Sequence, residues 1–303
     1  MSVRISKNSY NGKYTPYLLA LVFTLMILGI HLLPNMDSML NENNTKISHV
    51  FLKSQIDYHK EIAPFARRPL TTLLIESTIS SLSLRPGHAF ILVNFFLLFV
   101  SGVLMYKLSS MLKATPIQAL FNMAIYFSSF SVLFAFYPPV FSYDEPLQYC
   151  FILTALMAYV RQKWGLYILL FTLSLISRET SLLLLPALLL FAPGLTNAES
   201  GFSVKTIYKR YVLIIIPLML YACYIALFIS KNNQFEATQT ELASRFGCFL
   251  ENFESAKNTI ESLTSIFLTL GPFMVLTLFP LKSRRTILKN AFVKSFLLTA
   301  AIN

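Results

Sequence analysis

Charge is scarce in this chain, and glycine scarcer still. Asp, Glu, Lys and Arg make up 13% of the 303 residues against 55% hydrophobic residues, and mean hydropathy is positive. That balance lies outside the range of soluble domains and implies a multi-spanning membrane protein. Nine glycines beside 27 Phe and 15 Tyr argue against small-residue helix seams and for packing through bulky side chains. The three cysteines, Cys150, Cys223 and Cys248, have no CxxC spacing and cannot build a disulfide framework. A Walker-type loop, a GxGxxG turn and an HExxH pair are all missing, which sets aside Rossmann, nucleotide-driven and zincin chemistry. His49, His59 and Glu61 do not match a familiar zinc spacing either, so no metal site is expected from them.

What is present is a series of apolar runs. A hydrocarbon core about 30 Å thick needs roughly 20 apolar helical residues. Runs at Thr15–Leu33, Gly87–Leu108, Pro116–Tyr137, Leu147–Val160, Tyr211–Ser230 and Ile260–Leu281 read as spans. Two shorter segments, Trp164–Ser177 and Ser181–Ala192, flank "RET", and a last apolar run begins at Ala291. The expected fold is therefore all-α, a polytopic transmembrane helix bundle forming one integral-membrane domain over residues 1–303, with eight or nine membrane segments. The first run is long and lacks an A-x-A-like cleavage site, so it reads as a retained anchor. The final run has about half a span's length, which implies either a truncated chain or a short last helix.

Loop charge sets the orientation. With the N-terminus cytoplasmic, inner segments hold Arg4, Lys7, Lys13, Lys107, Lys113, Arg161, Lys163, Lys205, Lys209, Arg210, Lys282, Arg284, Arg285 and Lys289, while Glu199 alone of the 14 acids lies inside. The net charge of +11 follows from this inner bias, and no nucleic-acid partner is inferred. One helix from Trp164 to Ala192 would send "KTIYKR" outside, so two short segments with a turn near Arg178 fit better. Two outer loops result, at 34–86 and 231–258. Within the first, "RRPLTTLLIESTISSLSL" (Arg67 to Leu84) reads as an amphipathic helix in the outer interface, with Leu70, Leu73, Leu74 and Ile79 toward lipid or protein. Its alternative is a tilted, weakly hydrophobic transmembrane helix.

This topology brings four polar clusters to one face. They are Asp37 in "LPNMDSML", "DYHKEIAPFARRPL" at Asp57–Leu70, "SYDEP" at 142 to 146 and "SRET" at 177 to 180. Ionisable groups near a membrane are costly to desolvate and serve in pairing, substrate binding or proton handling. Asp37 or Asp57 is the candidate general base, though a loop acid or helix cap is the plainer reading of Asp37. Arg67 and Arg68 suit a phosphate or snorkel to headgroups. Asp144 and Glu145, beside Tyr143, sit in a short turn expected to be open to water, where they bind substrate or cap the helix starting near Leu147. Arg178 and Glu179 either neutralise each other or bind substrate. An outward site without nucleotide machinery needs an activated substrate, and lipid-linked sugars supply one.

The ordered set Asp37, "PFARRPLTTLL", "FSYDEPLQY" and "LISRETSLLLLPALLLF" resembles the GT-C superfamily of integral-membrane glycosyltransferases over about residues 15–193. The resemblance implies a polyprenyl-phosphate sugar donor and a catalytic carboxylate in the first outer loop, here Asp37. It further implies that Arg67 and Arg68 face the lipid phosphate, that Asp144 or Glu145 supplies the second loop's acid, and that Arg178 is the basic residue between short helices. No cofactor is expected, with a divalent cation left open. Membrane lipids and the lipid-linked donor are the expected partners, and the absence of a eukaryotic sorting signal favours a bacterial inner membrane with the site facing the periplasm. Two other classes remain: a transporter or flippase of lipid-linked saccharides, whose related halves and mid-span breaks are not evident, and a non-catalytic membrane protein.

Overall fold

The computed structural model describes residues 14–32, 49–133, 135–136, 141–184, 188, 204–232, 253–261 and 263–264. The described secondary structure is helical, with no strand among the described residues. The elements are α1 (Thr15–Leu32), α2 (His49–Glu61), α3 (Ala63–Ala66), α4 (Pro69–Leu82), α5 (Pro86–Met111), α6 (Pro116–Phe127), α7 (Phe130–Leu133), α8 (Glu145–Val160), α9 (Trp164–Ser177), a 3-10 turn (Glu179–Leu184) and α10 (Val204–Asn232). The chain forms two compact units, one of Met1–His59 with Pro69–Arg161, the other of Lys60–Arg68 with Gln162–Asn303.

Local chemistry explains where the helices begin. Pro86 opens α5 behind an extended Arg85, a position where a proline's missing N–H costs nothing. At α6 a capping box forms: Gln118 N–H donates to Thr115 Oγ1 at 3.3 Å and Thr115 N–H to Gln118 Oε1 at 3.0 Å. Helix ends are marked without glycine. Ser83, Lys113 and Gln162, just past α4, α5 and α8, have φ of 51°, 66° and 57°. After α5 the arrangement is a Schellman motif, in which Ala114 N–H bonds Ser109 O and Lys113 N–H bonds Ser110 O, each at 3.1 Å.

In the first unit α5 is the central helix, packed against α1, α4, α6 and α8. Its core is aromatic, as the Phe and Tyr content suggested: Phe90, Phe127, Phe136, Phe141 and Tyr143 are fully buried among Leu52, Ile75 and Leu98. Gly102 of α5 leaves no space for a side chain, since a β-carbon there would meet the Phe127 ring at 2.4 Å. In the second unit α9 packs on α10 and on the 3-10 turn. Tyr167 stacks on Phe171 at 5.4 Å and donates to the Ile214 carbonyl at 3.5 Å, close to Pro217, which interrupts the α10 ladder.

Two described helices are long and apolar enough to cross a membrane, Pro86–Met111 and the Tyr211–Lys231 part of α10. On α10 the large apolar side chains Val212, Ile215, Met219, Leu220 and Leu227 are exposed, a face suited to lipid or to a protein partner. α1 and α9 are apolar but shorter. The expected span Pro116–Tyr137 is not a continuous helix. It stops at Phe127, where Ser129 Oγ competes for the backbone by donating to the Tyr126 carbonyl at 2.6 Å. Most of Ser181–Ala192, and the expected span at Ile260–Leu281 beyond its first turn, lie outside the described residues. Arg67 to Leu84 does contain a helix, α4. It turns Thr71, Thr72 and Ile75 inward, with Ile79 against the core and Leu73 and Leu74 exposed.

Candidate active site

In the first unit the site begins on α2. Leu52, Gln55, Ile56 and His59 share its buried face, so Gln55 and His59, one turn apart, reach the same target. That target is the Phe141 peptide. Gln55 Oε1 accepts from Phe141 N–H at 3.2 Å, and His59 Nε2 lies 2.9 Å from the Phe141 carbonyl. A carbonyl can only accept, so Nε2 carries the proton. The His59 ring lies 4.1 Å from that of Tyr143, whose hydroxyl bonds Thr72 Oγ1 of α4 at 2.9 Å. Phe90 of α5 meets Tyr143 edge-on at 5.2 Å. Three helices thus hold the turn "FSYDE".

Asp144 and Glu145 are buried, at 1% and 7% exposure, which corrects the expectation of a turn open to water. The aromatic wall and the grip of α2 on Phe141 draw the turn inward, and the free N–H end of α8 gives its carboxylates a favourable field. The capping expectation also needs correction. Asp144 occupies the position before α8, but its backbone is helical (φ −74°, ψ −21°) and its side chain makes no capping bond. Glu145 accepts from Tyr149 O–H at 3.4 Å. Burial, followed by the negative fields of Asp144, Glu76 and Asp57, pushes the Tyr143 phenol far above its usual range, against the opposing bond from Thr72. Tyr143 therefore stays protonated, with three carboxylates in its electrostatic neighbourhood.

The second unit holds the arginines. Arg68 follows the short α3, and its N–H bonds Phe65 O at 2.8 Å. Its guanidinium lies over the Phe65 ring, 5.6 Å from the centroid. The fork engages Glu179 through two bonds, Nε to Oε2 at 2.7 Å and Nη2 to Oε1. Arg68 is 7% exposed and Glu179 24%. Burial raises the Glu179 carboxyl, but the Arg68 bonds and charge, helped by Arg67, outweigh it and hold the group below its usual value. The Arg67 carbonyl accepts from Tyr224 O–H of α10 at 3.0 Å. Arg178, extended at φ −165°, ends α9 and throws Glu179 into the 3-10 turn. The expected break near Arg178 is thus a change of helix type, and Glu179 has a partner far along the chain.

Of the sequence-derived candidates, Asp57, Tyr143, Asp144 and Glu145 belong to the first unit and Arg67, Arg68, Arg178 and Glu179 to the second. Asp37 lies outside the described residues. Sequence reasoning gave no site role to Gln55, Thr72 or Glu76. The four-residue spacing of Gln55 and His59 on one helical face was the available signal. Among the described residues no three His, Cys, Asp or Glu side chains converge as a metal-ligand set. Searches against protein-family models, curated proteins and solved structures return no match for this chain.

Proposed function

We propose that the chain is a polytopic membrane glycosyltransferase that moves a sugar from a polyprenyl-phosphate donor to a hydroxyl acceptor on the outer face of a bacterial inner membrane. The observation that carries this reading is the buried turn of Tyr143, Asp144 and Glu145 in the first unit, held at Phe141 by Gln55 and His59 of α2, the helix that also bears Asp57. Glycosyl transfer by inversion needs one carboxylate to take the acceptor proton as the oxygen attacks the anomeric carbon, while the bond to the phosphate oxygen breaks and its electron pair leaves with the phosphate. Asp57 or Asp37 serves as that base, while Tyr143, buried with its hydroxyl on Thr72, steadies the turn that carries Asp144 and Glu145. A guanidinium stabilises the negative charge developing on the leaving phosphate, a role suited to Arg67, Arg68 and Arg178. Bidentate geometry makes arginine the residue for such an anion.

Purified protein supplied with a labelled polyprenyl-phosphate sugar pool is expected to transfer label to an acceptor, with Asp57→Asn lowering the rate by about 100-fold or more, the lower bound of general-base catalysis. Full activity in Asp57→Asn assigns the proton transfer to Asp37. Full activity in the Asp37→Ala, Asp57→Ala double variant rules out the mechanism.

A further inference from the structure

We propose that Glu179 is a displaceable internal anion, whose carboxylate occupies the guanidinium fork of Arg68 until a phosphate group takes its place. The inference rests on the phosphate-binding role assigned to Arg68 above and adds a gate to it. A carboxylate and a phosphate present the same pair of oxygens to the Nε and Nη2 edge of an arginine, and Glu179 uses that edge in full. The two partners are unequally shielded. Arg68 is 7% exposed while Glu179 is 24% exposed, so solvent reaches the pair from the carboxylate side, and an incoming anion meets Glu179 first.

The anchoring is unequal in the same sense. Arg68 keeps its place through groups other than Glu179: the Phe65 ring beneath its guanidinium, its own N–H on the Phe65 carbonyl, and the Tyr224 hydroxyl on the preceding carbonyl. Glu179 stands at the first position of a 3-10 turn, just after the extended Arg178, and the turn's opening bond, Ser181 N–H to Arg178 O, is 3.2 Å long. Short 3-10 turns have poorer hydrogen-bond geometry than α-helix, and rotation about the Glu179 side-chain torsions carries the carboxylate off the fork while the Ser181 hydroxyl keeps the turn on the Ser174 carbonyl at 3.2 Å. A buried guanidinium is costly without an anion. Glu179 supplies one in the resting state, and an arriving phosphate replaces it without leaving the cation bare at any stage.

The test uses the full chain in nanodiscs and measures binding of inorganic phosphate in one arm and of polyprenyl monophosphate in the other. Glu179→Gln keeps the shape and removes the competing charge, and is expected to bind at least one of these anions about tenfold tighter than wild type. Tightening for both identifies the phosphate group itself as the ligand, and tightening for the lipid alone identifies a membrane-borne source. Unchanged or weaker binding in both arms overturns the inference. If Glu179→Gln fails to fold, Glu179→Asp replaces it. The shorter arm sets the carboxylate back from the fork by one methylene and weakens its hold, so binding tightens by about threefold, and no tightening overturns the proposal. Sugar transfer measured on the same preparations separates the two ideas. Tighter anion binding with no transfer by wild type rejects the glycosyltransferase reading and keeps the gate, whereas transfer by wild type without tighter binding in the variant rejects the gate alone.

Discussion

Replacing Gly102 with alanine tests how closely the helices of the first unit approach. A β-carbon at this position would lie 2.4 Å from Cζ and 2.5 Å from Cε2 of Phe127, and 3.4 Å from the β-carbon of Ala20. Carbon atoms prefer a separation near 3.5–4.0 Å, so the ring must retreat by about 1 Å. It has little room, since Phe127 is 1% exposed and stacks on Phe23 at 5.3 Å. Overpacking of this kind costs about 1–3 kcal/mol, while alanine gains about 1 kcal/mol over glycine in a helix interior. The net expectation for Gly102→Ala is a loss of between about 0 and 2 kcal/mol. Gly165 provides the control, because a β-carbon there meets nothing within 4 Å, so Gly165→Ala shows the propensity effect without the clash. Thermal or denaturant unfolding in micelles should separate the two variants, with Gly102→Ala the less stable. Phe127→Leu should restore part of the loss in the Gly102→Ala background while destabilising the parent, giving a coupling of about 1 kcal/mol or more. Equal stabilisation by both alanines, or strict additivity with Phe127→Leu, would refute the close approach.

Three other outcomes are expected. His59→Leu strips the donor from the Phe141 carbonyl and removes the ring contact with Tyr143, costing about 2–4 kcal/mol in total; hydrogen exchange of the 141–145 amides should accelerate, and unchanged exchange would mean the turn is held by other groups. Tyr143→Phe and Thr72→Val together should show a coupling near 1 kcal/mol in a double-mutant cycle, and zero coupling would deny the buried hydroxyl pair a role in stability. The Glu179 carboxyl is held below its usual value in the folded chain, so its stabilising effect is complete above the unfolded value of about 4.5 and is lost as pH falls through the depressed folded one. Acid unfolding of wild type should therefore be steeper than that of Glu179→Gln below about pH 4.5, and parallel curves would remove Glu179 from the acid response.

The legible part of the fold was the part written in local composition. The run read as Thr15–Leu33 is a helix over Thr15–Leu32, Gly87–Leu108 lies within Pro86–Met111, and Trp164–Ser177 has the expected ends, because apolar length and flanking charge or proline mark them directly. The Pro116–Tyr137 run failed because the Ser129 hydroxyl takes the Tyr126 carbonyl at its middle, a local effect that hydropathy does not register. α2 was hidden inside a long polar loop, since its helical face mixes Gln55 and His59 with Leu52 and Ile56 and gives little apolar signal. Missing α2 led to the error over Asp144 and Glu145, whose turn is held at Phe141 by residues more than eighty positions earlier. The Arg68–Glu179 pair is likewise a tertiary fact, with partners 111 positions apart. The residue types in these clusters were readable from the chain, but their pairings were not.

The connectors on either side of α5 are brief, 83–85 before it and 112–115 after it. Helices joined so tightly meet through contacts between near neighbours in the chain, which form rapidly, so α4, α5 and α6 can assemble as a nascent three-helix unit while the ribosome is still making the remainder. The union of His59 with Phe141 must wait until Phe141, 82 positions after His59, has emerged. The turn carrying Asp144 is thus fastened after those three helices, onto a framework already standing.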